Sequence, residues 1–141
     1  MKRILFLCVH NSARSQMAQA FMNKHGAAWF VAESAGLEKG RLNPFVVRAM
    51  AEVGIDISGN ATQSVFDLHA AGKKYDSVVT VCSKEAAEQC PVFPGKVERH
   101  HWPFDDPSTF TGTDEERMAR VRLVRNQIEE AVLAFLREHH G

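Results

Sequence analysis

Residues 2–15 read KRILFLCVHNSARS, and this stretch indicates the type of fold. It opens with a continuous apolar run, which is typical of a buried strand in a parallel sheet. Residues 13–26 then place apolar side chains at helical spacing and close on Gly26, a residue that commonly ends a helix. A buried strand that turns directly into a helix is the repeating unit of α/β folds.

The rest of the chain alternates between strand and helix patterns in the same way. Asn43 and Pro44 mark the start of one helix, and Thr113 with Glu116 forms a capping-box pattern before the longest one. The predicted strands are 2–9, 29–36, 75–82 and 96–102, and the predicted helices are 13–26, 43–54, 64–72, 83–89 and 114–140. This alternation predicts an α/β fold: a single domain over residues 1–141, with a four-stranded parallel sheet and helices on both faces.

The composition argues against several classes of protein. The chain has 17 basic and 17 acidic residues, whereas a general nucleic-acid binder is usually basic. No apolar run approaches the ~18 residues of a membrane span, and the apolar part of the N-terminus is shorter than that of a signal peptide. We therefore expect a cytoplasmic, monomeric protein that binds neither nucleic acid nor membrane.

The polar loop between the first strand and the first helix suits a tetrahedral oxyanion. The N–H groups of such a loop and the positive end of the helix converge on one point, and their field favours the thiolate form of Cys8. Arg14 offers a planar fork for two oxygens, and Asn11 suits a left-handed backbone position. Ser15 or Ser12 can donate a hydrogen bond to the sulfur. The pattern indicates a nucleophilic cysteine beneath a bound phosphate-like anion.

Two further cysteines follow near the carboxyl ends of strands, where ligands bind in parallel sheets. Cys82 closes the third predicted strand, and Cys90 comes shortly after it. Three cysteines in such a chain indicate reactive thiols or metal binding rather than a disulfide framework. If residues 83–89 are helical, the two thiols are about 12 Å apart along the axis, at ~1.5 Å per residue. Because a disulfide needs Cα atoms within ~7 Å, this helix must unfold before the pair can close.

These residues resemble a known family. Residues 8–21, CVHNSARSQMAQAF, are similar to the phosphate loop of the low-molecular-weight tyrosine phosphatase fold and, more narrowly, to the thioredoxin-coupled arsenate reductases built on that fold. The likeness extends over nearly the whole chain, through SAGLE at 34–38, VVTVC at 78–82, CPVFP at 90–94 and HWPFDDP at 101–107.

The resemblance implies a role for each of these groups. Arsenate would bind in the loop, at Val9, His10, Asn11, Ser12, Ala13, Arg14 and Ser15. Cys8 would attack it, Arg14 would clamp its oxygens, and Asp106 would protonate the leaving oxygen. Cys82 would release arsenite as the second thiol, and Cys90 would resolve the disulfide, which thioredoxin then reduces. The resemblance implies no organic cofactor.

The choice of general acid rests on the resemblance. From the residues alone, Asp105 and Asp106 are equal candidates on a loop that Pro107 helps to direct. In the family, the aspartate directly before the proline has this role, which selects Asp106. Asp105 is then expected to cap a turn.

Other functions remain open on the same residues. A low-molecular-weight phosphatase would use Cys8, Arg14 and Asp106 to hydrolyse a phosphoester, although the tyrosines that follow Asp-Pro in such phosphatases are absent here. An oxyanion-binding or redox-sensing module would bind without turnover, and Asp106 would then have no purpose. A small thiol is the alternative reductant to thioredoxin, and a reductase of that kind would not need Cys90.

Three features depart from the family pattern. His10 replaces the usual glycine, and Ala13 stands where many relatives have a further cysteine. The interval between Cys82 and Cys90 is one residue longer than the family pattern implies. Ala13 cannot supply a thiol, and the longer interval bears on the assignment of Cys90 as the third thiol.

No metal site is predicted. In some relatives a cation sits beside the loop, and Asn11 and Ser34 match that site, but Gln19 stands where a glutamate is expected. The histidine pairs at 100–101 and 139–140 lack the spacing to the cysteines that a metal site would show.

Overall fold

The computed structural model describes residues 1–140 of the chain. Its centre is a four-stranded sheet in which every pair of neighbouring strands is parallel. The strands are β1 (Lys2–Cys8), β2 (Phe30–Gly36), β3 (Ser77–Thr80) and β4 (Glu98–His101), in the spatial order β2-β1-β3-β4. The predicted α/β fold with a four-stranded parallel sheet is confirmed.

Helices alternate with the strands, as the sequence patterns predicted. They are α1 (Arg14–His25), α2 (Pro44–Glu52), α3 (Val65–Ala70), α4 (Lys84–Ala87) and α5 (Asp114–His140), with a short 3₁₀ turn at Pro107–Thr109. In the part of the chain that the structure describes, no helix is both long and apolar enough to cross a bilayer.

The two faces of β1 carry separate apolar clusters, because successive side chains of a strand point to opposite sides. Phe6 and Cys8 belong to the larger cluster, together with residues of α1, α2 and α5. Leu5 and Leu7 belong to the smaller cluster, which contains residues of α3 and also Cys90. Helices therefore cover both faces of the sheet.

Local signals start two helices where the sequence predicted. Asn43 accepts a hydrogen bond from the Phe45 N–H at 2.9 Å at the start of α2. At the start of α5, the Thr113 hydroxyl accepts from the Glu116 N–H (3.1 Å) and the Glu116 carboxylate accepts from the Thr113 N–H (3.3 Å). The sequence of α5 places apolar residues at helical spacing, and all six of them are buried: Met118, Val121, Val124, Ile128, Val132 and Phe135.

The helix predicted over residues 83–89 is shorter in the structure. Regular α-helix covers only Lys84–Ala87, and the N–H groups that lead to Cys90 donate to carbonyls three residues earlier. Residues 88–89 form a turn instead, and Pro91 disfavours helical backbone only at Cys90, the residue before it. The distance of about 12 Å between Cys82 and Cys90 assumed a helix over all of residues 83–89. That assumption was wrong.

Candidate active site

The loop between β1 and α1 is the centre of the candidate site. β1 ends at Cys8 and α1 begins at Arg14, so the loop crosses the carboxyl end of a central strand, where ligands bind in such sheets. Asn11 adopts the expected left-handed conformation, with φ of 55°. Ala13 occupies the N-cap position and has no side-chain oxygen, so the first N–H groups of α1 are left for a bound anion.

The Cys8 sulfur lies beside a hydroxyl that can stabilise its negative charge. Sγ is 2.8 Å from Oγ of Ser15, and that oxygen accepts a hydrogen bond from Nδ2 of Asn11 at 2.9 Å. Because Asn11 already supplies a proton to this oxygen, the Ser15 hydroxyl is oriented to donate to the sulfur. Both Cys8 and Ser15 are buried, where such a bond is stronger than in water. Of the two candidate serines, the structure brings Ser15 rather than Ser12 to the sulfur.

The segment after β2 supports the loop from behind, and the sequence did not point to this role. Gly36 lies so close that a Cβ there would be 2.6 Å from both the Asn11 nitrogen and the Val9 carbonyl oxygen. Three N–H groups of the segment donate to three consecutive loop carbonyls: Leu37 to Cys8 (3.1 Å), Glu38 to Val9 (3.0 Å) and Gly40 to His10 (2.9 Å). These bonds turn the loop carbonyls towards the segment after β2. The opposite side of the loop is left to N–H groups, which can face an anion.

Buried amides form a second support that sequence reasoning missed. Oδ1 of Asn11 accepts from the Gln63 N–H at 2.9 Å and from Nε2 of Gln16 at 3.2 Å. Gln16 also accepts from Asn60 (3.1 Å) and donates to the Ala61 carbonyl (3.2 Å). The stretch between α2 and α3 therefore fixes the side chain that shapes the loop. Gln16 stands among other polar residues of α1, so no local pattern in the sequence marked its role.

The structure brings Arg14 and Asp106 together. Nη2 of Arg14 is 3.5 Å from Oδ2 of Asp106, and Nη1 donates to the Phe104 carbonyl at 3.1 Å. Arg14 is buried, and its Nε has no hydrogen-bond partner among the described residues. A buried guanidinium with an unused N–H suits recognition of an oxyanion.

The two neighbouring aspartates differ in environment. Asp105 is exposed, whereas Asp106 is partly buried. The expectation that Asp105 caps a turn was wrong: Oδ1 of Asp106 accepts from the Ser108 N–H at 3.0 Å and caps the 3₁₀ turn. Asp106 can cap the turn and face Arg14 together because its two oxygens point in different directions.

The other two cysteines lie on different faces of the sheet. Cys82 shares the apolar cluster of Cys8, and Cys90 lies in the opposite cluster. Burial raises the pKa of Cys82 to about 11, the nearby charge of Arg14 lowers that pKa in part, and Cys8 raises it. Burial also raises the pKa of Cys90. All three thiols are free, and Cys90 must leave its packing before it can bond to Cys82.

Two departures from the family pattern are accommodated by partners within the chain. Nδ1 of His10 is 2.9 Å from the Glu38 carboxylate, so its side chain is held at the outer side of the loop. The Ser34 hydroxyl donates to the Gln19 side-chain carbonyl, and the Ser34 carbonyl accepts from Nε2 of Gln63 at 3.1 Å. The side-chain amides of Gln19 and Gln63 thus provide the hydrogen-bond partners of Ser34.

Comparison with known proteins defines the class. The family model described as low molecular weight phosphotyrosine protein phosphatase matches residues 3–140. The chain therefore belongs to the low molecular weight phosphotyrosine protein phosphatase family.

Within this family the chain is similar to arsenate reductases. The arsenate reductase of Bacillus licheniformis is 47% identical over 138 residues, which cover 95% of this chain and 94% of the relative. A solved arsenate reductase in the oxidized state has a TM-score of 0.78 at 32% identity, and one in the phosphate binding state has a TM-score of 0.75 at 31% identity. Each match covers 98% of both chains. The resemblance inferred from the sequence is confirmed.

Proposed function

We propose that the chain is an arsenate reductase that works through a relay of three thiols and is regenerated by thioredoxin. The observation that carries the proposal is the position of Cys82: it lies in the same buried cluster as Cys8, and the two thiols interact electrostatically. A phosphatase needs one nucleophilic thiol, whereas reduction needs a second thiol beside the first. The similarity to arsenate reductases, at 47% identity for one of them, supports the same proposal.

The first step joins Cys8 to arsenic. Arsenate enters the loop with its oxygens facing the loop N–H groups and Arg14. The Cys8 thiolate attacks arsenic, and a hydroxyl of arsenate leaves as water after taking a proton from Asp106. The product is a thioester-like bond between sulfur and As(V), and no electrons have yet been transferred.

The second step carries out the reduction. The Cys82 thiolate attacks the Cys8 sulfur, a disulfide forms between them, and the pair of electrons of the sulfur–arsenic bond stays on arsenic. Arsenic goes from As(V) to As(III) and leaves as arsenite, while the two sulfurs are oxidised. Because burial keeps the pKa of Cys82 at about 11, this thiol must lose its proton during the step, and the positive charge of Arg14 assists that loss.

The third step moves the disulfide away from the loop. The Cys90 thiolate attacks the Cys82 sulfur, forms a Cys82–Cys90 disulfide and releases Cys8 as a thiolate. Cys90 must first leave the cluster on the opposite face of the sheet. The α4 helix between the two cysteines has only four residues, so little helical structure is lost when this segment rearranges. The dithiol of thioredoxin then supplies the two electrons that restore the free thiols.

A relay of this kind needs a reducing compartment, because its resting state has three free thiols. We therefore expect the protein to act in the cytoplasm. The oxidised form would present its disulfide at the rearranged segment, and thioredoxin would bind there.

The test is arsenate-dependent oxidation of NADPH in the presence of thioredoxin and thioredoxin reductase. Wild type is compared with Cys8→Ser, Cys82→Ser and Cys90→Ser. We expect turnover in wild type and its loss in all three variants. Retention of turnover in Cys82→Ser would contradict the relay.

Hydrolysis of para-nitrophenyl phosphate by the same variants is the control. This reaction needs the loop and Cys8 but neither of the later thiols. Cys82→Ser and Cys90→Ser should therefore keep it, which would show that their loops are intact. Cys8→Ser should lose it.

A phosphatase is the second candidate function, and the contact between Arg14 and Asp106 is compatible with it. The two side chains lie 3.5 Å apart, and this arrangement of clamp and acid would serve a phosphoester as well as arsenate. Water would then hydrolyse the Cys8 phosphoenzyme. Efficient hydrolysis together with no arsenate turnover would favour this function over the reductase.

A further inference from the structure

A second cluster of ligand atoms lies away from the Cys8 loop, where β4 meets the last turn of α5. Glu98 and His100 belong to β4, and His139 belongs to α5. Oε1 of Glu98 is 2.5 Å from Nε2 of His100 and 3.2 Å from Nε2 of His139. One ligand atom from each of the three side chains lies within 4.8 Å of the other two. The thiol relay uses none of these residues.

The hydrogen bond from the His139 ring shows which of its nitrogens is free to bind a ligand. Nδ1 lies 2.9 Å from the Phe135 carbonyl, and because a carbonyl only accepts, Nδ1 carries the proton of the neutral ring. Nε2 then presents a lone pair to the Glu98 carboxylate, which also has only lone pairs. Two acceptors 3.2 Å apart repel each other unless a second proton on the ring makes the contact an ion pair or a metal ion joins the two atoms.

We propose that Glu98, His100 and His139 form a binding site for a divalent transition metal ion such as Zn²⁺. Two imidazole nitrogens and one carboxylate oxygen are a donor set that Zn²⁺ takes when its fourth position is left to water. Histidine ligands of such ions usually donate their other ring N–H to a carbonyl or carboxylate. In the same way, His139 donates its Nδ1–H to the Phe135 carbonyl.

One of the three donor spacings already fits a zinc site. Tetrahedral ligands at ~2.0–2.1 Å from Zn²⁺ lie about 3.3 Å apart, close to the 3.2 Å between Glu98 and His139. The His100 contact would have to open by about 0.8 Å to match that geometry. The Phe135 ring stacks on His139 with centroids 3.9 Å apart and meets His100 edge-on at 5.4 Å, so one aromatic ring holds both imidazoles.

The site is open to solvent and joins distant parts of the chain. The side chain of Glu98 is 53% exposed and that of His100 is 26% exposed, so an ion can enter and keep a water ligand. β4 continues directly to Trp102 and the loop that carries Asp106, whereas His139 lies in the last turn of the longest helix. A bound ion would fasten the end of α5 to β4, and ligand binding to the folded state alone raises its stability.

The test is calorimetric titration of Zn²⁺ into the full chain without an affinity tag. All three cysteines are replaced by serine in every arm, because thiolates bind Zn²⁺ themselves. We expect one equivalent of Zn²⁺ to bind, with an affinity at least about tenfold weaker in Glu98→Gln and in His139→Gln. His101→Gln is the matched control: it lies on the same strand, its Nδ1 is engaged by Thr80 at 2.7 Å, and it should bind Zn²⁺ as its parent does.

Equal affinity in Glu98→Gln and His101→Gln would mean that the three side chains form only an ion pair, and would overturn the proposal. Circular dichroism of each variant verifies the fold. If the serine background does not fold, nuclear magnetic resonance of the full wild-type chain decides. Zn²⁺ should then shift the ring signals of His100 and His139 before those of His69, and the opposite order rejects the site.

Discussion

Asp106 directs one carboxylate oxygen to Arg14 at 3.5 Å and the other to the Ser108 N–H at 3.0 Å. An oxyanion held by Arg14 would lie next to this carboxylate, and two negative groups at such a distance repel each other. A proton on Asp106 removes the repulsion, and a leaving oxygen requires that same proton. An oxyanion bound at Arg14 would therefore favour a protonated Asp106, which the proposed role of general acid needs.

Replacing Asp106, the proposed general acid, should slow the reaction most for esters with poor leaving groups. We expect Asp106→Asn to lower kcat for phenyl phosphate by about 10²–10⁴-fold, and to lower kcat for para-nitrophenyl phosphate much less, since that leaving group departs without a proton. Steady-state kinetics on the two esters measure the difference. Asp105→Asn is the control, because Asp105 is exposed; equal losses in the two variants would contradict the assignment.

The hydroxyl beside Cys8 should control the reactivity of its sulfur. Ser15 lies 2.8 Å from the sulfur, and a hydrogen bond to a charged group contributes about 1.5–3 kcal/mol. We expect Ser15→Ala to slow alkylation of Cys8 by iodoacetamide at pH 6 by about tenfold or more. Mass spectrometry follows the rate in chains whose other two cysteines are serine. Ser12→Ala should react as its parent does, and a reversed order of the two variants would reject the role of Ser15.

A methyl group behind the loop should disturb it. In Gly36→Ala the new Cβ would lie 2.6 Å from the Asn11 nitrogen and the Val9 oxygen, both of which are backbone atoms that cannot rotate away. We expect a loss of about 1–3 kcal/mol in the free energy of unfolding and weaker binding of phosphate. Urea unfolding and phosphate titration measure the two effects. Gly59→Ala is the control, because a Cβ there meets nothing within 4 Å; equal losses in both variants would be evidence against this account.

The buried thiol of Cys82 should make stability depend on pH above 9. Burial raises its pKa from 9.0 to about 11, so the folded chain holds this proton more tightly than the unfolded chain does. The resulting stability is present below pH 9 and is lost as the pH rises towards 11. Between these values wild type should lose about 2–3 kcal/mol more than Cys82→Ser. Chemical unfolding at each pH measures this, and parallel curves for the two proteins would contradict it.

The sequence was enough to predict those parts of the fold that depend on local patterns. Patterns within a few residues predicted three features: the turn from β1 through Cys8 into α1, the helix cap at Asn43 and the capping box at Thr113. The structure has all three at the predicted positions. The parallel sheet followed from the alternation of strand and helix patterns. The helix predicted over 83–89 is shorter in the structure, where regular helix covers Lys84–Ala87 and a turn follows.

The supports of the loop could not be found in this way. Gly36 and Gln63 act on Asn11 across large separations in sequence, and nothing in their immediate neighbourhood marks them. The same holds for the separation of Cys90 from Cys82 on two faces of the sheet, since it depends on how the segment after α4 packs. The roles of Cys82, Cys90 and Asp106 stay predictions until the variants are measured.

The hydrogen bonds from Leu37, Glu38 and Gly40 to the loop carbonyls have a consequence for protein engineering. Because backbone bonds from behind define the path of the loop, the side chains of Val9 and His10 are not needed to define it, and both are partly exposed. Libraries at these two positions could alter the preference among tetrahedral oxyanions while the scaffold keeps its shape. The part of the molecule that must stay constant is thus separate from the part that can diversify.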